Sequence, residues 1–314
     1  MKALVVGALA AVVRLRTGVT VAQRLLSDEG EAVEPISADA AYAIDGPLTC
    51  DSEVNQVPSL PLEAEPTALL ICADPDGSMP WTSPDDLVEV DLTALVESLA
   101  DLERAPDGDY ACTMQAGPGY DLLLGFSRER YARIHGDTGG CGVVTTASGE
   151  WFGADGVLDA ALALVEEQRR TATPPSRVPT ADLRCDDLLG ERGYALSLTG
   201  DPADLVRVVS CWQPNAPELG PWVEGRVPAL EVRVLAHDLA RNLTPDGDTG
   251  DLRCPGGLDH HYFQHLLGQT AWGDVVMLAG ECRRFYVVDL RPDGPPMLWH
   301  PSPASQRILD GLRR

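Results

Sequence analysis

Eight cysteines carry the most definite chemistry in this chain: Cys50, Cys72, Cys112, Cys141, Cys185, Cys211, Cys254 and Cys282. Zinc sites usually bring two ligands within about two to four residues of each other. Here consecutive cysteines stand tens of residues apart and no CxxC occurs. Four disulfides fit this spacing, and disulfides belong to an oxidising compartment.

The densest polar cluster is Asp259, His260, His261 and His265. Two histidines and an aspartate are competent donors for a divalent metal, and on a strand His261 and His265 share one face. The equivalent stretch of the first half, residues 119–125, contains no histidine. These residues therefore read as partly exposed strand histidines, and no metal site is expected. The aspartate-rich turns at 73–78, 106–109 and 245–248 lack the ligand spacing of a calcium loop and read as β-turns. His135-Gly136-Asp137-Thr138-Gly139-Gly140 has the outline of the GDSGG of chymotrypsin-like proteases. Threonine occupies the nucleophile position and no supporting His-Cys motif lies upstream, so a Gly-rich turn is expected. Phosphate loops, dinucleotide fingerprints and GxSxG are absent. No catalytic residue and no cofactor is expected; the chain reads as non-enzymatic.

The elements that position the cysteines follow from hydrophobic periodicity. Between Cys112 and Cys141, Tyr120, Leu122, Leu124 and Phe126 alternate, polar residues 127–130 follow, and a second run holds Tyr131 and Ile134. Two such runs around a short turn predict an antiparallel hairpin bracketed by cysteines. Cys254 to Cys282 has the same plan. Upstream of each lie an apolar strand ending in cysteine (68–72 and 206–211), a loop with Pro-Trp (Pro80-Trp81 and Pro221-Trp222), and a helical stripe. The stripes are Leu92, Leu95, Val96, Leu99 and Leu102, and then Leu230, Val234, Leu235, Leu239 and Leu243. Ser83 to Asp86 reads as the cap and acidic first turn of the first helix. Residues 194–199 and 206–211 read as an opening hairpin across Gly200-Asp201. Cysteine steps of 22, 40 and 29 are followed by steps of 26, 43 and 28 in the second half, and so many shared features in one order argue a tandem duplication.

The expected fold class is α+β: two tandem units, each a helix packed on an antiparallel sheet with two disulfides and a short closing helix. The hairpins suggest Cys112–Cys141 and Cys254–Cys282, leaving Cys50–Cys72 and Cys185–Cys211. Four cysteines per unit allow three pairings, so spacing alone leaves the choice open. Residues 1–30 read as a targeting segment, because Met1-Lys2 precedes an apolar run at 3–13 of signal-peptide length that is too short to span a bilayer. Residues 31–170 form the first unit with an acidic, Pro-rich lead-in, 171–180 a linker, and 181–314 the second unit. Among 314 residues, 48 acidic against 24 basic side chains give a net charge of −24. Such a chain repels nucleic acid and anionic membranes.

The second unit resembles a subtilisin-inhibitor-like domain, one of the small secreted protease inhibitors of actinobacteria. The likeness rests on Tyr194 to Thr199, Val206 to Cys211, a Pro/Gly loop, an Ala/Leu helix, Cys254-Pro255, two strands and Gly280-Glu281-Cys282; the first unit is similar from about 66 to 145. The resemblance implies a secreted protein with a protease-binding loop after the third cysteine. The residue two past that cysteine would enter the protease pocket. In this sequence the loops would be Thr113, Met114 and Gln115, with Met114 before the scissile bond, and Gly256 and Gly257. The expected function is an exported binding protein in the secreted or cell-envelope space, with a serine protease as its specific partner. The alternative is an envelope or extracellular interaction protein that binds another protein and inhibits nothing. Neither a nucleic-acid partner nor a stable membrane span is expected.

Overall fold

The computed structural model describes residues 47–106, 108, 110–127, 130–186, 195–213, 221–245, 263–281, 283–288 and 297–313. The first half runs β1 (Asn55–Gln56), β2 (Ala68–Ala73), β3 (Trp81–Thr82), β4 (Leu87–Val88), α1 (Thr93–Ala100), β5 (Glu103–Arg104), β6 (Gly119–Ser127), β7 (Arg130–Asp137), β8 (Val143–Thr146), β9 (Gly149–Phe152) and α2 (Ala154–Thr171). The second runs β10 (Leu196–Ser197), β11 (Leu205–Gln213), β12 (Val223–Arg226), α3 (Ala229–Asn242), β13 (Leu243–Pro245), β14 (Phe263–Thr270), β15 (Val275–Glu281), β16 (Arg284–Val287), β17 (Met297–Trp299) and α4 (Pro303–Gly311). The fold is α+β, in two sheet-containing units. The main paths are β4-β2-β6-β7-β8-β9-β5 and β12-β11-β14-β15-β16-β17-β13. Element for element, the two orders are the same, and both paths are antiparallel throughout. No described helix is long and apolar enough to cross a membrane.

Each sheet is apolar on both faces, because successive side chains alternate sides. On one face of the first sheet, Leu69, Ile71, Tyr120, Leu122, Leu124 and Ile134 pack under α1 and α2. On the other, Leu70, Cys72 and Leu123 pack against Leu48 and Val54 of the lead-in. The second sheet repeats this: Leu266, Leu278, Phe285 and Trp299 lie with Leu235, Leu239 and Leu309 of α3 and α4. Its far face holds Val209, Cys211 and Leu267 against Leu183 and Cys185. The disulfides Cys50–Cys72 and Cys185–Cys211 pin each lead-in to the far face it covers. The expected pairing is present for these two and for Cys112–Cys141; Cys254 and Cys282 lie outside the described residues.

Several local expectations are corrected. Ser83 to Asp86 does not cap α1: residues 87–88 pair with β2 at the sheet edge, and the helix starts beyond them. There the Asp91 carboxylate accepts from both Thr93 N–H (2.9 Å) and Thr93 Oγ1 (2.6 Å). In α3 the buried residues include Val232, Leu235, Ala236 and Leu239, whereas Leu230 is 70 % exposed and Val234 faces outward. The segment holds two overlapping 3/4-spaced stripes, and the sheet selects one of them. Tyr131 lies opposite Ile134, since a spacing of three cannot keep one strand face. The closing helix of the first half is long, 18 residues, rather than short. The short strands β4, β5, β8 and β9 extend the first sheet beyond β2 and the 119–137 hairpin, because two to four residues carry too little periodicity to read.

The expected opening hairpin of the second half does not form. Asp201 accepts from Ala203 N–H and starts a 3-10 turn at Pro202–Asp204, and a proline there removes a donor that a tight hairpin needs. Leu196 and Ser197 instead pair in parallel with Trp81 and Thr82 of the first half. Leu198 enters the first core and Leu196 the far-face core of the second.

A buried ion cluster joins the same two halves. Arg169 near the end of α2 donates to Asp86 from Nη2 (2.6 Å) and Nε (3.3 Å) and to Asp274 from Nη1 (2.7 Å). Thr199 and Thr270 hydroxyls also donate to Asp274. The side chains of Arg169 and Asp274 are 7 % and 2 % exposed. Burial alone would lower the guanidinium's proton affinity, but Asp86 and Asp274 outweigh it and raise that affinity above its ordinary value. Truncating Arg169 would leave two acids facing each other in a dry site. Arg169→Met is expected to lower the unfolding free energy by about 3–5 kcal/mol, measured as a fall in the urea midpoint.

Candidate functional site

The loop that follows Cys112 runs without regular structure through residues 110–117 and rejoins the sheet at β6. Its root is the Cys112–Cys141 disulfide, with Cα atoms 5.0 Å apart. Its tip is Met114, whose relative exposure is 103 %. An exposed thioether on an unbranched stem is an adaptable apolar probe. Thr113, Gln115 and Ala116 are exposed as well.

The loop is nevertheless held in place. Gly140 ties down both sides of Met114: its N–H donates to the Gln115 carbonyl (2.8 Å), and its carbonyl accepts from Thr113 Oγ1 (3.0 Å). Gly140 can do so because its φ of 63° turns the chain into the left-handed region. On the far side, the Ser78 hydroxyl accepts from Gly117 N–H (3.2 Å) and donates to the Gly117 carbonyl (3.1 Å). Pro118 O accepts from Thr138 N–H and Oγ1. A Cβ on Gly117 would lie 2.4 Å from Thr138 Oγ1, so only glycine permits this approach. The Met114–Gln115 peptide thus lies between two anchors on a single residue, itself next to the disulfide.

Sequence reasoning pointed to Thr113, Met114 and Gln115 and did not single out Gly140, Ser78 and Gly117, which hold that loop in place. Asp-Thr-Gly-Gly was readable as a turn, and it is one: Gly139 N–H donates to Asp137 Oδ1 (2.7 Å). That this turn braces a loop more than twenty residues earlier appears only when β6 and β7 pair. Gly256, Gly257, His260 and His261 lie outside the described residues. His265 is placed against the Trp222 ring, centroids 4.9 Å apart, and burial lowers its pKa. Among the described residues no group of three or more His, Cys, Asp or Glu side chains is arranged to hold a metal.

His135 stands two residues before the bracing turn. Its Nδ1 is 3.1 Å from Asp121 Oδ1, and Arg133 lies 3.5 Å from the other carboxylate oxygen. The Asp121 hydrogen bond raises the His135 pKa; burial opposes this, while the charges of Asp121, Asp74 and Asp137 assist it. Comparison with family models, curated proteins and solved structures gives no match to this chain.

Two outcomes follow for this region. Replacing Cys112 and Cys141 together by alanine should lower stability by about 2–4 kcal/mol and speed proteolytic nicking within residues 113–116, followed by mass spectrometry. Because its folded pKa is raised, His135 adds stability that is complete below the unfolded value of about 6.5 and is lost as pH rises through the folded pKa. An NMR titration should show His135 titrating above that value, and Asp121→Asn should move it down.

Proposed function

We propose that this chain is an exported, non-enzymatic binding protein whose Thr113–Gln115 loop enters the active-site cleft of a serine protease, with Met114 filling an apolar specificity pocket. The observation that carries this reading is the complete exposure of Met114 at the tip of a loop fixed by a disulfide and by Gly140. An inhibitory loop must be extended and exposed, yet already ordered, so that binding costs little entropy. If the protease cut the Met114–Gln115 bond, Thr113 and Gln115 would stay tethered to Gly140. The severed ends would be held at high effective concentration, which favours resealing over release.

The three described disulfides support an oxidising destination, and the apolar run at 3–13 supplies a targeting segment to reach it. The matching strand orders support a tandem duplication. The likeness to subtilisin-inhibitor-like domains rests on the order of cysteines and strands.

Purified protein is expected to inhibit a subtilisin-type protease stoichiometrically. Met114→Asp should weaken inhibition at least a hundredfold without moving the thermal unfolding midpoint. Absence of inhibition, or inhibition indifferent to Met114→Asp, would remove the protease from the reading and leave the loop as a contact surface for another extracellular protein.

A further inference from the structure

The helices that close the two halves differ in length. α2 has 18 residues and α4 has 9, so at about 1.5 Å per residue α4 reaches half as far. α2 covers its sheet with a continuous row of buried apolar side chains from Ala154 to Val165. α4 brings Leu309, with Ile308 and Leu312 beside it, to the second core. At the end of the second sheet nearest α2, the partly buried Leu243, Val287 and Met297 are left open to a cleft. Phe285 and Val287 share a strand face, as do Met297 and Trp299, so this strip continues the helix-covered face.

The cleft has a volume of about 610 Å³, the size of a small-molecule site. Trp272 forms one wall, its ring 5.0 Å from the Arg169 guanidinium. The rim carries Glu166 on α2 and Asp201 and Asp204 on the turn before β11. Two cations also line it. Arg169 is committed to Asp86 and Asp274, and Arg170 pairs with Glu167. The Asp204 carboxyl is pushed up, first by burial and then by the charge of Asp201, with the charge of Arg169 acting in the opposite direction.

We propose that this cleft is a binding site for an amphipathic organic cation, its apolar body lying on the Leu243–Val287–Met297 strip and its positive charge beside Asp201 and Asp204. Apolar floor and acidic rim together select this class: a neutral apolar ligand gains nothing from the carboxylates, and an inorganic cation gains nothing from the strip. The site is independent of the Met114 loop.

The test uses two ions of one shape and opposite charge, tetraphenylphosphonium and tetraphenylborate, titrated into the full chain by calorimetry. The cation is expected to bind once per chain and saturably, at least tenfold more tightly than the anion. Asp201→Asn with Asp204→Asn keeps the turn's cap, since asparagine also caps, and should weaken cation binding at least tenfold. Glu63→Gln with Glu65→Gln removes two exposed charges elsewhere and should leave binding unchanged. Met297→Glu should weaken tetraphenylphosphonium despite adding a negative charge, because it spoils the apolar floor. Equal affinity for both ions, equal weakening by the two double variants, or no saturable binding would overturn the proposal.

Discussion

A sheet that is apolar on both faces must be covered twice. In both halves of this protein, helices cover one face and a lead-in segment covers the other. Burial of each large aliphatic side chain contributes about 1.5–3 kcal/mol, but on that far face the lead-ins bring few such residues: Leu48 and Val54 in the first half, Leu183 in the second, while Val57, Leu60 and Leu62 of the first lead-in join the helix-covered core. So small a contact would compete poorly with the chain entropy of an irregular segment. The disulfides Cys50–Cys72 and Cys185–Cys211 offset that deficit by tethering each lead-in to the central strand it covers. This accounts for the cysteine that lies upstream of the first long strand in each half.

The halves meet through polar as well as apolar groups. Leu196 and Leu198 pack into different cores from one short segment, and Arg169 spans from α2 to Asp86 and Asp274. A buried ion cluster adds little net stability over a well-packed apolar contact, but it penalises any arrangement that leaves one partner alone. Its geometric demand is therefore strict: the end of α2, the approach to β4 and the β14–β15 turn must converge. That convergence also shapes the neighbouring cleft, because Arg169 and Trp272 form part of its lining.

The Met114 loop shows a division of labour between covalent and hydrogen-bonded restraint. The disulfide fixes where the loop leaves the body, while Gly140 and Ser78 fix its path on either side of the tip. With the backbone's polar groups so engaged, the tip side chain can stay in water without the loop collapsing onto the sheet. Exposure of a large apolar side chain is ordinary in isolation; here Met114 is exposed at the apex of a braced loop.

Much of the fold was legible in the residues. Cysteine spacing and period-2 patterning located the 119–137 hairpin, the α+β class and the division into two units, because a strand of eight or nine residues alternates long enough to stand out. The Gly and Pro residues that follow Cys112 marked a loop. What the residues left open was decided by tertiary contacts. Three pairings were available to each set of four cysteines, and the far sheet faces bring Cys50 to Cys72 and Cys185 to Cys211. Two stripes were available to α3, and the sheet chose Val232, Leu235, Ala236 and Leu239 over the stripe containing Leu230 and Val234. Residues 196–197 had a neighbour in sequence to pair with, yet joined β3 of the other half, since the 3-10 turn at Pro202 barred the local hairpin. Gly140 acquired its role only when β7 placed it beside residue 113. Local periodicity specifies which face of an element is apolar; it does not specify which partner that face will meet, and the bracing of Met114, the Arg169 cluster and the open strip near α2 all depend on the partner.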